Sequence, residues 1–180
     1  MEYSKKFNYF FTADTEFNHK NIIEYCNRPF KSVNHMNDII IANWNSVVTK
    51  DDIVFHLGDI GRDCDDLVSQ LNGNIIFVRG GHDHKLDAPL MREIYIDGLL
   101  DEYGNKRLIV LCHYAMRSWN KSHYGSWHLF GHHHGRLEPY GLSFDVGMDT
   151  NSYYPYSLME VEEKMSKLIP IVDFRREKNG

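Results

Sequence analysis

Apolar residues in this chain gather into short runs, and each run stops at a burst of glycine, acid or histidine. FNYFFT (7–12) gives way to ADTEFNHKN, DIVFHL to GD, NIIFV to RGGHDH, KRLIVL to CHY and WHLF to GHHHG. Short apolar runs bounded by turn residues predict buried strands, so the pattern predicts five strands that each end at a polar cluster. After the first of them, Val33, Met36, Ile40, Trp44 and Val47 recur at helical spacing behind Ser32, a good N-cap residue. This segment predicts an amphipathic helix whose stripe belongs to the core. A second helix is expected over 65–71. A third, charged and lying on the outside, is expected over 158–168, with the final REKNG fraying.

In open α/β sheets, ligands gather beyond the carboxyl ends of the strands, so the five clusters are expected to meet in space. They bring Asp14, Glu16, Asp59, His82, Asp83, His113, His132 and His134 to equivalent positions. A lone buried His or Asp is usually a satisfied structural residue. Five clusters placed alike point instead to a metal site. Carboxylates mixed with imidazoles suit Mn, Fe, Zn or Ni, and with Cys112 the only thiol among the clusters a structural zinc–thiolate site is disfavoured.

Composition narrows the partners. A chain of 180 residues is long enough for one substantial core, which predicts a single domain over 1–180. A formal charge of -5 and the lack of a basic run disfavour long nucleic acid, whose binding depends on phosphate neutralisation. The three cysteines show no CxxC spacing, and no signal-peptide pattern or membrane-length apolar run is present. These features predict reduced thiols in a soluble cytoplasmic protein with no membrane partner.

The ordered series DTE, GD, GGHD, CH and GHHH resembles the calcineurin-like metallophosphoesterases, whose motifs run D-x-H, GD, GNHD or GNHE, H and G-H-x-H. The likeness to small phage and bacterial phosphoesterases extends through NIIEYCNRPF, NWNSVV, LCHYAMRSWNKSHYGSWHLFGHHHG and SFDVGMD. It implies an α/β fold, a four-layer sandwich of two mixed β-sheets flanked by helices, with two divalent metals at one edge, Mn first and Fe, Zn, Ni or Mg as alternatives. By the resemblance, Asp14, Asp59 and His134 hold the first metal, and Asp59 bridges to a second held also by His113 and His132. His82 faces the substrate phosphate and is oriented by Asp83, while His133 falls at a variable loop position. The implied reaction is hydrolysis of a small phosphomonoester or phosphodiester, nucleotide-type substrates included. Two divalent ions about 3.5–4 Å apart can activate water and clamp the attacking and leaving oxygens.

Two positions depart from the family pattern. Glu16 stands where the family has its second His, and it is a competent ligand whose oxygen character favours Mn or Mg over Zn. Gly81 replaces an Asn ligand, leaving water, a backbone carbonyl or His84 to fill the gap. The same departures leave a second function open, a catalytically degenerate relative that binds a nucleotide or a protein. Arg28, Arg117 and His19 lie on polar loops and are candidate phosphate contacts, with surface salt bridges as the competing reading. Trp119, Tyr124 and Trp127 offer either base stacking or packing.

Overall fold

Period-two alternation sends neighbouring strand residues to different cores. In the computed structural model of the protein, which describes residues 1–4 and 6–171, this builds two packed sheets. The elements run β1 (Glu2–Tyr3), β2 (Tyr9–Thr12), α1 (Ile22–Tyr25), α2 (Val33–Val47), β3 (Ile53–His56), α3 (Asp65–Val68) and β4 (Asn74–Phe77). They continue with β5 (Met91–Leu100), β6 (Lys106–Cys112), β7 (Trp127–Phe130), β8 (Ser143–Asp145), β9 (Tyr156–Ser157) and α4 (Leu158–Ser166). One sheet has the order β4-β3-β2-β9 and the other β1-β5-β6-β7-β8. Both sheets are mixed: β2, β3 and β4 pair in parallel with β9 antiparallel, while β6, β7 and β8 pair in parallel with β5 antiparallel to β6. The α/β sandwich of two mixed sheets expected from the resemblance is therefore the architecture observed.

Tyr9, Phe11, Ile53 and Phe55 of the first sheet meet Ile94, Ile109, Leu111 and Leu129 of the second in the central core. Their strand neighbours Phe10 and Val54 turn the other way, onto Met36, Ile40 and Trp44 of α2. Fully burying one such side chain is worth roughly 1.5–3 kcal/mol. Ser32 caps α2 as expected, its hydroxyl accepting from the His35 N–H at 3.2 Å. The outer face of the second sheet, Leu108 and Val110, is covered by Trp119 and its irregular segment, with one 3-10 turn at Ser122–Tyr124 in place of an α-helix.

Several elements differ from expectation. The strand expected over 7–12 is β2 and begins at Tyr9, with Phe7 exposed, and the helix expected over 65–71 is the single turn α3. Val47, at the end of the expected stripe, faces solvent. α4 is not peripheral: a Ser157/Glu160 capping box starts it and Val161 and Met165 enter the central core. β5 was missed altogether, because the charges and glycine in MREIYIDGLL interrupt the apolar run. The expected fraying of REKNG lies outside the described residues. No helix among the described residues is long and apolar enough to cross a membrane.

Candidate metal centre

The loops after β2 and β3 continue the parallel pairing of their strands. Asp14 N–H donates to Gly58 O at 3.0 Å, Glu16 N–H to Asp59 O at 3.1 Å and Phe17 N–H to Ile60 O at 2.8 Å. The loop after β4 is tied to them by Asp83, whose carboxylate accepts from the N–H groups of Asp59 (2.7 Å), Ile60 (3.0 Å) and Gly80 (2.9 Å). The backbones touch here: a Cβ on Gly58 would lie 2.3 Å from Gly80 N, and Gly58 has a left-handed φ of +96°. Asp83 is thus spent on the backbone around Asp59 and not on the His82 ring, which corrects the role expected for it.

Five of the expected metal ligands sit in the left-handed region: Asp14 (φ 57°), Glu16 (52°), Asp59 (53°), His132 (70°) and His134 (49°). Non-glycine residues held there cost roughly 1–3 kcal/mol each, and such strain concentrates at functional sites. The turns gain something by it: each throws its side chain toward one edge shared by both sheets.

Asp59 is the centre of that edge. Its carboxylate belongs to two groups whose potential ligand atoms lie within 4.8 Å of one another, one with His113 and His132, the other with Glu16 and His82. His113 is fully buried, and its Nδ1 is bonded to Leu57 O at 2.8 Å, which turns Nε2 toward Asp59 Oδ2 at 3.2 Å. The contact is an ion pair that does not meet hydrogen-bond geometry, and Nε2 is a buried nitrogen with no hydrogen-bond partner. An imidazole anchored through Nδ1–H with a free Nε2 is prepared as a metal ligand. Without a cation a proton takes that role: burial pulls His113 down, but Asp59 raises it above the usual histidine range. Burial likewise pushes Asp59 up, and the His113 contact outweighs it to leave the carboxyl at about 2. His132, nearer solvent, is lowered by partial burial and by the His113 and His133 rings.

Asp14 is buried beside Asp145 and Asp59, and desolvation together with those charges drives its carboxyl well above the ordinary range. Both of its oxygens accept from His132 N–H, at 3.2 and 2.9 Å, and that neutral donor does not offset the crowded negative charge. Buried acids without a paired cation, next to an unpartnered imidazole nitrogen, fit a divalent ion.

His134 reaches a residue that had not been singled out. Its Nδ1 pairs with Asp149 Oδ2 at 2.7 Å, and Arg28 grips the same carboxylate through Nε at 2.8 Å and Nη2 at 2.7 Å. Cys26 lies close enough to form a third potential ligand group with His134 and Asp149. With both Asp149 oxygens engaged by a buried guanidinium, the arrangement orients His134 and leaves its Nε2 for a ligand. Burial opposes ionisation of Asp149, and its bonds to His134 and Arg28 prevail, holding its carboxyl below the usual range. Asp145 ends β8 and Asp149 follows it in SFDVGMD, but nothing local marked Asp149 as the partner of Arg28.

The suggested substrate contacts separate. His19 stays at the site, with Nδ1 2.6 Å from Glu16 Oε2 and its ring beside His82. Arg28 is buried and also donates to the carbonyls of Asp14 and Thr15, so it is a structural cation and not a phosphate contact. Arg117 lies over the Tyr140 ring at 4.4 Å, exposed on the covering segment, and has no part in the cluster. Trp119 and Trp127 are buried packing residues. The space beside Gly81 is taken by the Tyr114 hydroxyl, 2.8 Å from where a Cβ would stand, and not by His84.

An uncharacterized protein of Methanocaldococcus jannaschii, MJ1445, is 36% identical to this chain over 159 residues, spanning 81% of this chain and 84% of its own length. This chain belongs to that protein's family. No protein-family model matches it. Among solved structures, a protein of unknown function from Aquifex aeolicus, AQ665, superposes with a TM-score of 0.65 at 22% identity, covering 87% of this chain and 98% of that one. The two share a fold. A conserved uncharacterized protein from Streptococcus pneumoniae, a predicted phosphoesterase, reaches a TM-score of 0.44 at 16% identity, covering 78% of this chain and 70% of that one.

Proposed function

We propose that this protein is a calcineurin-like metallophosphoesterase that hydrolyses small phosphoesters with divalent metal, Mn first. The observation that carries the reading is the buried His113 Nε2, unpartnered and facing an Asp59 carboxylate that two ligand groups share. Asp59, His113 and His132 would hold one ion. Glu16 and Asp59, with Asp14 and the free Nε2 of His134, would hold the other. Bound there, divalent ions would offset phosphoryl charge and lower the pKa of a water.

The chain's own groups divide the remaining work. His19 orients Glu16, Asp149 orients His134 and Leu57 O orients His113, so three candidate ligands have fixed rotamers. Asp83 fixes the backbone from which Asp59 projects. His82 has a side chain 57% exposed, while its backbone N–H donates to Asp59 Oδ1, and it stands on the open side of the cluster. Its imidazole is the candidate proton donor to the leaving oxygen.

The test is metal analysis of the purified protein after dialysis against Mn, with hydrolysis of bis-p-nitrophenyl phosphate and p-nitrophenyl phosphate by parent and His113→Ala. Metal uptake and hydrolysis that His113→Ala abolishes are expected. A parent that takes up no metal, or takes it up and hydrolyses neither ester, would overturn the reading.

A further inference from the structure

Tyr114 follows a candidate ligand directly, yet nothing above gives it work. Its ring packs beside both His113 and His132, 4.8 Å from each and edge-on to both, the two imidazoles being 5.2 Å apart. The residue is 43% exposed, and its hydroxyl makes no hydrogen bond among the described residues. That hydroxyl lies over Gly81, 2.8 Å from the position of a Cβ there, and the same Cβ would be 4.0 Å from Asp59 Oδ1. A phenol is therefore set over the bare backbone of Gly81, beside the carboxylate that both ligand groups share. Any side chain at residue 81 would have to displace it.

From this placement we infer that the Tyr114 hydroxyl is a substrate-binding group that donates a hydrogen bond to a phosphoryl oxygen, and that Gly81 leaves the room it needs. The inference rests on the phosphoesterase reading and adds a residue to it. A phenol held by its ring and open at its oxygen is a pre-positioned donor, and it costs little rotamer entropy to use. The candidate ligands around it are acceptors: carboxylates, and imidazole nitrogens with free lone pairs. An oxyanion brought to this edge finds few N–H or O–H groups among them, and Tyr114 supplies one next to Asp59. Gly81 then serves as a matched partner of Tyr114.

The experiment uses the full chain loaded with Mn and three variants, Tyr114→Phe, Gly81→Ala and the two combined. Mn binding, binding of inorganic phosphate by calorimetry and kcat/KM for bis-p-nitrophenyl phosphate are measured on each. Phe keeps the ring against the two imidazoles, and thermal unfolding checks that each variant is folded. The expected result is a parent-like Mn isotherm for Tyr114→Phe, with phosphate affinity and kcat/KM both down roughly 10- to 100-fold, the range of one hydrogen bond to a charged group. Gly81→Ala should lose a similar factor by pushing the hydroxyl aside, and the combined variant should lose no more than the worse single one. An active parent whose Tyr114→Phe variant binds phosphate equally well would overturn the inference and leave the phosphoesterase reading standing. So would loss of Mn binding in Tyr114→Phe, which would make the phenol a ligand, while multiplying losses in the combined variant would overturn the pairing with Gly81. A parent that with Mn neither binds phosphate nor hydrolyses the ester would remove both readings.

Discussion

His113 and His128 are buried to the same degree, one just past the end of β6 and the other within the neighbouring β7, and each bonds through Nδ1 to a backbone carbonyl, Leu57 O for one and Val110 O for the other. They differ at the second nitrogen. His128 Nε2 accepts from the Met116 N–H at 3.1 Å, whereas His113 Nε2 faces a carboxylate and completes no bond. Burial takes His128 down to about 4, and Asp59 lifts His113 the other way. The difference between a satisfied histidine and a candidate ligand is thus a single hydrogen bond, and burial alone does not distinguish the two.

Exchanging each for leucine should separate the two roles. In His113→Leu, kcat/KM with Mn should fall by more than about 100-fold, beyond the 10–100-fold usual for a group behind a ligand, while urea unfolding shows a smaller loss than in His128→Leu, since the Leu57 carbonyl alone is bared. Asp149→Asn, one step removed from the metal, should fall inside that 10–100-fold range in Mn affinity as read by calorimetry. It should also unfold more easily, because buried Arg28 loses its charged partner. His128→Leu should invert the pattern, losing about 1–3 kcal/mol of unfolding free energy for the bare Val110 carbonyl and Met116 N–H, with Mn affinity unchanged.

Acid sharpens the same contrast. His128 and His56 both titrate near 4 in the fold, below the unfolded value of about 6.5. Their contribution is present above about pH 6.5 and is lost as pH falls through 4, so metal-free stability should decline across that window and less steeply in His128→Leu. His113, raised in the fold, contributes fully below about 6.5 and loses its share as pH rises through its folded value. Urea titrations at stepped pH would separate the two directions. Arg117→Ala should do least, staying within about 0.5 kcal/mol in stability and at parent activity in the ester assay.

The strands that end at the site were legible because each reads as an unbroken apolar run, and β2, β3 and β7 are buried on both sides, as FFT and IVFH show. β5 was not, since Arg92, Glu93, Asp97 and Gly98 break its run, and pairing with β1 and β6 makes it a strand. Asp59, His113 and His132 were recoverable as strand-end clusters. Asp149 was not, because its place behind His134 is fixed by Arg28, 121 positions away, and no local pattern carries that distance. Arg28 was misread for the same reason: a loop arginine in sequence is a buried one in space. Tyr114, the last residue of CHY, carried no local signal, and the fold alone lays it across Gly81.

The edge that collects these side chains is also a seam. His113 bonds across it to Leu57, and Asp14 across it to His132, a residue 118 positions along the chain. A cation seated on Asp59 would act there as a rivet between the two layers, closing long chain loops that the unfolded polypeptide must leave open. Under a chelator the layers should begin to part at that seam, and amide exchange should quicken first in the turns that bear Asp14, Asp59 and His132, well before the opposite rim of the sandwich loosens.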